Sequence, residues 1–200
     1  IAEIMLVGHA NLDDNYCYAF QGNKCRKMHT SRRDTFKAIN TNSIAKIFPD
    51  GRIDILRKQF HKRIKLKVKA DTLFDDRVAL IHFYPGQSPD ILTYYHKKKY
   101  KGLIIAMTGL GHVITEGKHN WLPHIKEAIK RGMIICAVPQ TIYGRLDPYV
   151  YAPGRRLADA GVFYLGDMLA ETALVKLGWV LGHKHWRGSI ATKLKMLENT

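Results

Sequence analysis

Four short, unbroken apolar runs in the second half of the chain constrain its fold more than any other feature. They are VALIHF (Val78–Phe83), GLIIAMTG (Gly102–Gly109), MIICAVP (Met133–Pro139) and VFYLG (Val162–Gly166). A strand with one face in water alternates polar with apolar residues, whereas a strand covered on both faces does not. Helical patterns separate the runs. SPDILTYYHKK sets Ser88 at a cap and Pro89 at the first helical position. NWLPHIKEAIKRG puts Trp121, Ile125, Ala128 and Ile129 on one helical face and ends at Gly132 in the C′ position. PGRRLADAG is a short helix closed by Gly161, and a longer helix starts at Asp167 with Leu169, Ala173, Leu177, Val180 and Leu181 as its stripe. Strands alternating with helices predict an α/β fold of three layers, a parallel sheet between helices.

The first third reads differently. IAEIMLV, YCYAF, CRKMHT and GRIDILR are short and punctuated by turns. The alternation in IKLKVKA (Ile64–Ala70) predicts a half-buried strand, and SRRDTFKAI predicts a short helix with Ser31 as its N-cap. The change of texture sets a boundary near Ala70–Arg77, giving segments 1–72 and 73–200.

At 200 residues and 46% hydrophobic content the chain is globular and can bury one domain or one and a half. No apolar run approaches the roughly 20 residues that span a bilayer. The opening IAEIMLVGH has neither a basic n-region nor a cleavage site, and it enters a strand abruptly, as the interior of a longer chain would. Three cysteines without CxxC spacing argue against a disulfide framework or a structural zinc site and fit a reducing compartment. Cys17 and Cys25 could face each other across a hairpin, although free thiols fit the pattern better.

Lys and Arg number 32 against 17 Asp and Glu, a formal net charge of +15. The excess gathers in Lys24–Arg33, Arg57–Lys69 and His96–Lys101, and such a field attracts polyanions. Each cluster alone is also what a solvated face looks like; together they make RNA contact an expectation.

Ligands of open parallel sheets bind beyond the strand C-termini. Two segments belong there. MTGLGHV (Met107–Val113) turns through two glycines but lacks both the GxGxxG fingerprint and a Walker ending. AVPQTIYGRLDPYVY (Ala137–Tyr151) offers Gln140, Thr141, Tyr143, Arg145 and Asp147, as either a recognition loop or a solvated connector. His183 and His185 are two apart, wrong for one helical face, with no HExxH, so no metal site is expected; no GxSxG elbow occurs either. Lys27, in the stretch KCRKMHTSRRDTFKAI, is open to two readings. It is one more exposed basic side chain, or an enclosed amine whose pKa, ordinarily about 10.4, desolvation lowers into the range of a usable base.

KCRKMHTSRRDTFKAIN, MTGLGHV, QTIYGR and YAPGRRLADAGVFYLGDMLAETALVKLGWVLG together resemble the asparaginase-like amidohydrolase family, in order and over nearly the whole chain. The RKMHTSRRD block points to its tRNA-dependent amidotransferase branch. The resemblance implies that residues 1–72 are the end of a larger N-terminal α/β domain and 73–200 a smaller C-terminal one. It implies a glutaminase that releases ammonia from glutamine, itself without cofactor. A partner, the E-type subunit of the amidotransferase, would use ATP and Mg2+ to activate the γ-carboxyl of Glu-tRNA(Gln), in a cytoplasmic assembly with no membrane contact. A homodimer of the glutaminase subunits is also implied.

In that family a threonine attacks the amide, and a Thr-Asp pair with a lysine moves the proton. The family's Lys-x-x-Thr falls on Lys27 and Thr30, which makes Lys27 the catalytic candidate, with Arg26, Arg32 and Arg33 as its basic surroundings. The TGGT-type motif and the Thr-Asp dipeptide do not occur in these 200 residues, and Thr108 in MTGLGH is no substitute. Both motifs are expected upstream of Ile1, so this chain alone is expected not to hydrolyse glutamine. The alternatives are an asparaginase or glutaminase without a tRNA role, and a non-catalytic RNA- or protein-binding module of the same fold.

Overall fold

A computed structural model describes residues 1–67, 69–186 and 189–197. The chain divides into two compact units, Ile1–Ala70 and Asp71–Thr200.

The first unit is built from short antiparallel strands. β1 (Met5–His9), β2 (Cys17–Gln21), β5 (Ala45–Ile47) and β6 (Ile53–Ile55) form one sheet in the order β1-β2-β5-β6. Residues paired across strands share a face, so Val7, Ala19, Ala45 and Ile55 stand in one row. Ala19 and Ala45 in the middle of that row are buried with Ile44, while Val7 and Ile55 at its ends are half exposed. A separate hairpin joins β3 (Cys25–Lys27) to β4 (Phe36–Ala38).

Two expectations fail in this unit. SRRDTFKAI is not a helix: Phe36–Ala38 is a strand paired with Cys25–Lys27, and the residues between form the hairpin loop. Local side-chain bonds decide the matter. His29 Nδ1 accepts the N–H groups of Ser31 and Arg32, each at 3.1 Å, and Met28 N–H donates to Thr35 O at 2.7 Å, so the turn closes into the β3–β4 ladder instead of continuing as a helix. IKLKVKA is not a strand in its described residues: Ile64 and Leu66 are 66% and 75% exposed, and no neighbouring strand receives them. Val68 lies outside the described residues.

The second unit is the expected layered α/β domain. β7 (Val78–His82), β8 (Gly102–Met107), β9 (Ile134–Pro139) and β10 (Phe163–Tyr164) are parallel and ordered β10-β9-β8-β7. The connecting helices are α1 (Asp90–Lys97), α2 (Leu122–Lys130) and α3 (Ala152–Asp159). Strands added one after another to the same edge, with crossovers of one hand, put all three helices on one face. Leu92, Ile125 and Leu157 accordingly share one core with Leu103, Ile105, Met107, Ile135 and Ala137. The alternate strand residues, Ile104, Ala106, Cys136 and Val138, pack against α4 (Ala170–Gly182) through Ala173, Leu177, Val180 and Leu181. All six residues of β8 are buried, which is why its sequence shows no alternation. A fifth helix, α5 (Ser189–Leu197), extends this second core with Met196. It does not figure among the sequence expectations, and α4 begins at Ala170 rather than Asp167.

A strap leads into the sheet across α4. Asp75 N–H donates to the Gly178 carbonyl at 2.9 Å, and its carboxylate takes Arg77 at 2.9 Å and Lys101 at 2.7 Å. His183 is 4% exposed; its Nδ1 lies 2.8 Å from the Trp179 carbonyl oxygen and its Nε2 2.9 Å from Asp71. Both nitrogens of a histidine considered as a metal ligand are thus already engaged.

Three helices end on one motif. At α2, Gly132 N–H reaches Ile129 O (2.8 Å) and Met133 N–H reaches Ala128 O (3.0 Å); at α3, Gly161 pairs with Ala158 (2.9 Å) and Val162 with Leu157 (3.1 Å). At α1 the same bonds run from Lys99 to His96 (2.9 Å) and from Tyr100 to Tyr95 (3.0 Å). The residue at the turn is left-handed in each, with φ of 88° at Gly132, 98° at Gly161 and 62° at Lys99. Glycine takes this conformation freely, whereas a side chain there costs about 1 kcal/mol.

Candidate functional site: a lysine hairpin and the ends of a parallel sheet

Lys27 is the last residue of β3, opposite Phe36, and its side chain is exposed. The hairpin that carries it is locked from below. Met28 N–H donates to Thr35 O at 2.7 Å, and His29 N–H to Thr35 Oγ1 at 3.1 Å. Asp34, 8% exposed, receives Lys37 Nζ at 2.9 Å and both Arg32 Nε and Nη2 at 2.9 Å. These cations, Lys37 foremost and then Arg32, hold the Asp34 carboxyl below the usual carboxylate range. Arg33 pairs with Asp14, which also takes His9 Nδ1 at 2.8 Å. Arg32 and Arg33, close to Lys27 in sequence, are therefore committed to local carboxylates. The Lys27 amine itself stands at a strand end and is presented to solvent rather than enclosed. Cys17 and Cys25 are both free; Cys25 faces Ala38 across the hairpin, and Cys17 belongs to the other sheet between His9 and Ile47.

In the second unit the exits of β7, β8 and β9 are drawn together by one side chain. Gln140 N–H donates to Met107 O at 3.1 Å, while its Nε2 donates to Ala106 O at 2.8 Å and to Phe83 O. Gln140 thus works as a staple across three strand ends, not as a recognition group; its position straight after a buried strand is the only trace of this in the sequence. Thr108 is likewise structural, its Oγ1 donating to His112 O at 3.0 Å. Gly111 has φ 107°, and a Cβ there would sit 2.5 Å from the Tyr164 ring, whose hydroxyl donates to Gly111 O at 2.7 Å. Burial pushes the Tyr164 phenol well above its usual range, so it remains a donor. Asp147 N–H closes onto Leu110 O at 3.1 Å, and Leu146 N–H onto Gly166 O at 3.1 Å.

Around this knot Tyr84, Tyr143, Tyr149 and Tyr151 stand more than half exposed. The platform can bind and orient through phenols and backbone groups. Among the described residues no group of His, Cys, Asp and Glu is arranged to hold a metal ion. An apolar cleft of about 530 Å³, lined by Ile129, Met133, Phe163 and Leu181 among others, lies at the opposite end of the sheet, away from these loops. No helix in the described residues is long and apolar enough to cross a membrane.

Residues 77–192 match the glutaminase/asparaginase C-terminal domain family. The chain is 47% identical over 182 residues to the D-type subunit of glutamyl-tRNA(Gln) amidotransferase from Thermococcus kodakarensis, covering 91% of this chain and 40% of that protein. It is 48% identical over 183 residues to the same protein of Pyrococcus abyssi, covering 92% and 41%. It therefore spans about two fifths of these relatives. The thermostable L-asparaginase of Thermococcus kodakarensis superimposes with a TM-score of 0.80 at 28% identity, over 91% of this chain and 53% of that one. L-asparaginase I of Vibrio cholerae shares the fold, with a TM-score of 0.77 over 93% of this chain and 57% of its own. On its parallel-sheet domain, its family match and its identity to these amidotransferase proteins, the chain belongs to the glutaminase/asparaginase family and is similar to the D-type subunit of the archaeal amidotransferase.

Proposed function

We propose that this chain forms part of the glutaminase subunit of a tRNA-dependent amidotransferase, which releases ammonia from glutamine to convert Glu-tRNA(Gln) to Gln-tRNA(Gln). The observation that carries the reading is identity of 46–48% over nine tenths of the chain to proteins named for that enzyme, against 28% to a named L-asparaginase. The free asparaginase reading is accordingly the weaker one.

Lys27 is the catalytic residue in this reading. Its amine, at the end of β3, would bridge the aspartate and the second threonine of the Thr-Asp pair, and only once those groups enclose it could it serve as the base that activates a weak hydroxyl nucleophile. The hairpin lock of Asp34 with Lys37 and Arg32 supports this role, because it fixes the strand from which the amine projects. Neither TGGT nor Thr-Asp occurs in the 200 residues, so those groups must be supplied by the sequence that carries them. The glutaminase needs no cofactor of its own; ATP and Mg2+ serve its partner, the E-type subunit, which receives the ammonia. We further propose a homodimer of the glutaminase and a cytoplasmic setting, which three unpaired thiols favour.

The test is ammonia release from glutamine by a polypeptide in which this chain is joined to the TGGT and Thr-Asp segments of the Pyrococcus or Thermococcus relative. Activity that Lys27→Ala removes supports the glutaminase. An active enzyme indifferent to Lys27→Ala refutes the role of Lys27. An inactive but folded assembly leaves the non-catalytic binding module as the better description.

A further inference from the structure

The left-handed turn that ends α1 carries a lysine where the same turn at α2 and α3 carries glycine. Strain retained where the fold has a cheaper solution indicates that the side chain is used. The attraction of helix C-termini for cations does not account for it. That attraction is already met by His96 and Lys97 in the last turn and by Lys98 at the cap.

Lys99 lines a cleft of about 520 Å³ where the ends of α1 and α2 meet, together with His96, Lys97, Lys101 and Arg131. Lys101 is held by Asp75 at 2.7 Å and Arg131 by Glu127 at 2.5 Å. Lys97 and Lys99 have no acidic partner among the described residues. The segment His96–Lys101 contains four lysines and no acid, on a chain of net charge +15. Two anchored cations thus flank two unanchored ones in a concave site.

We propose that this cleft binds the phosphodiester backbone of RNA, with Lys97 and Lys99 on neighbouring phosphates. The cations and the cleft require only an anion; the choice of RNA rests on the tRNA-dependent function proposed for the chain. Backbone contacts of this kind position a nucleic acid without reading its sequence. They are recognised by salt dependence, because each neutralised phosphate releases counterion.

The experiment is fluorescence anisotropy of a labelled tRNA transcript titrated with this chain between about 50 and 200 mM salt, the range over which phosphate contacts are read. The variants are Lys99→Gly and the pair Lys97→Ala/Lys99→Gly. Lys99→Gly should raise the urea midpoint, since strain is relieved, while lowering RNA affinity several-fold. The slope of log K against log salt should become shallower by about 0.7–0.9 for each contact removed. A higher midpoint with unchanged affinity and slope would overturn the proposal. So would full displacement of the RNA by millimolar tripolyphosphate with no multi-phosphate slope, which would identify a small-anion site. Ammonia release does not enter this readout, so failure of the RNA cleft and failure of the glutaminase reading are told apart.

Discussion

Gly111 and Gly109 lie two residues apart in the loop that leaves β8, yet alanine should cost clearly more at Gly111 than at Gly109. At Gly109, φ is 52°, and an added Cβ would meet only the His112 ring at 3.8 Å. The penalty there is the left-handed backbone alone, about 1 kcal/mol. At Gly111, φ is 107°, a region that disfavours any side chain, for roughly 1–3 kcal/mol. The Cβ would also stand 2.5 Å from the Tyr164 ring, which is tethered by its hydroxyl to Gly111 O at 2.7 Å. Moving the ring releases that hydrogen bond, worth about 0.5–1.5 kcal/mol. Gly111→Ala should therefore cost about 1.5–4.5 kcal/mol. Urea unfolding followed by tryptophan fluorescence reads this directly, because Trp121, Trp179 and Trp186 all belong to the second unit. Tyr164→Phe should cost about 1 kcal/mol alone and add less than that to Gly111→Ala, since both remove one bond. If Gly111→Ala costs no more than Gly109→Ala, the Tyr164 contact does not constrain the loop and the reasoning fails.

Other consequences follow from the same geometry. Lys27→Ala should leave the urea midpoint of this chain within about 0.5 kcal/mol of wild type, because the side chain is exposed; a larger loss would mean that it holds the hairpin together. Arg77, and then Lys101, hold the Asp75 carboxyl far below the usual range. A carboxylate depressed on folding contributes stability above its unfolded value of 3.8 and loses it as pH falls, so stability should drop below about pH 5, and Asp75→Asn should flatten that drop. Burial raises the Cys136 thiol well above its usual range and raises the Cys25 thiol too, so a thiol reagent near pH 8 should label Cys17 first, half-buried Cys25 more slowly, and Cys136 only on unfolding. Cys136→Ser should cost about 1–3 kcal/mol, since its hydroxyl enters a site packed by Val138, Phe163 and Leu177.

The layered domain was legible because its signal is redundant. Unbroken apolar strands, one-sided helices and closing glycines agree, and in β8 the burial of all six residues matches the sequence residue by residue. The first unit was not, because there the period of the pattern competes with specific side-chain bonds. SRRDTFKAI offers Ser31 as a helix N-cap, but the His29 and Asp34 contacts stabilise a hairpin whose partner strand lies nearby, and no propensity scale contains them. IKLKVKA alternates as a strand should, yet alternation only prepares a strand, and one without a neighbour does not form. The candidate site divides in the same way. Lys27 could be singled out only by family resemblance, since composition makes it one lysine among many. Gln140 was visible as a polar residue at a strand exit, but which carbonyls it binds depends on three strands distant in sequence.

The order of the four parallel strands has a kinetic consequence. Leu80 pairs with Ile104, Ile104 with Cys136, and Cys136 with Phe163, so each strand joins the edge left by its predecessor. The paired residues are 24 (80 to 104), 32 (104 to 136) and 27 (136 to 163) positions apart, and since closure entropy grows only logarithmically, the steps cost nearly the same. Such a sheet can accrete from β7 onwards without waiting for a distant partner, so a chain emerging from a ribosome can begin this domain before its last helix is made. Among the described residues the two-residue β10 comes last in this order, and so short a strand presents few unpaired backbone groups along its outer side.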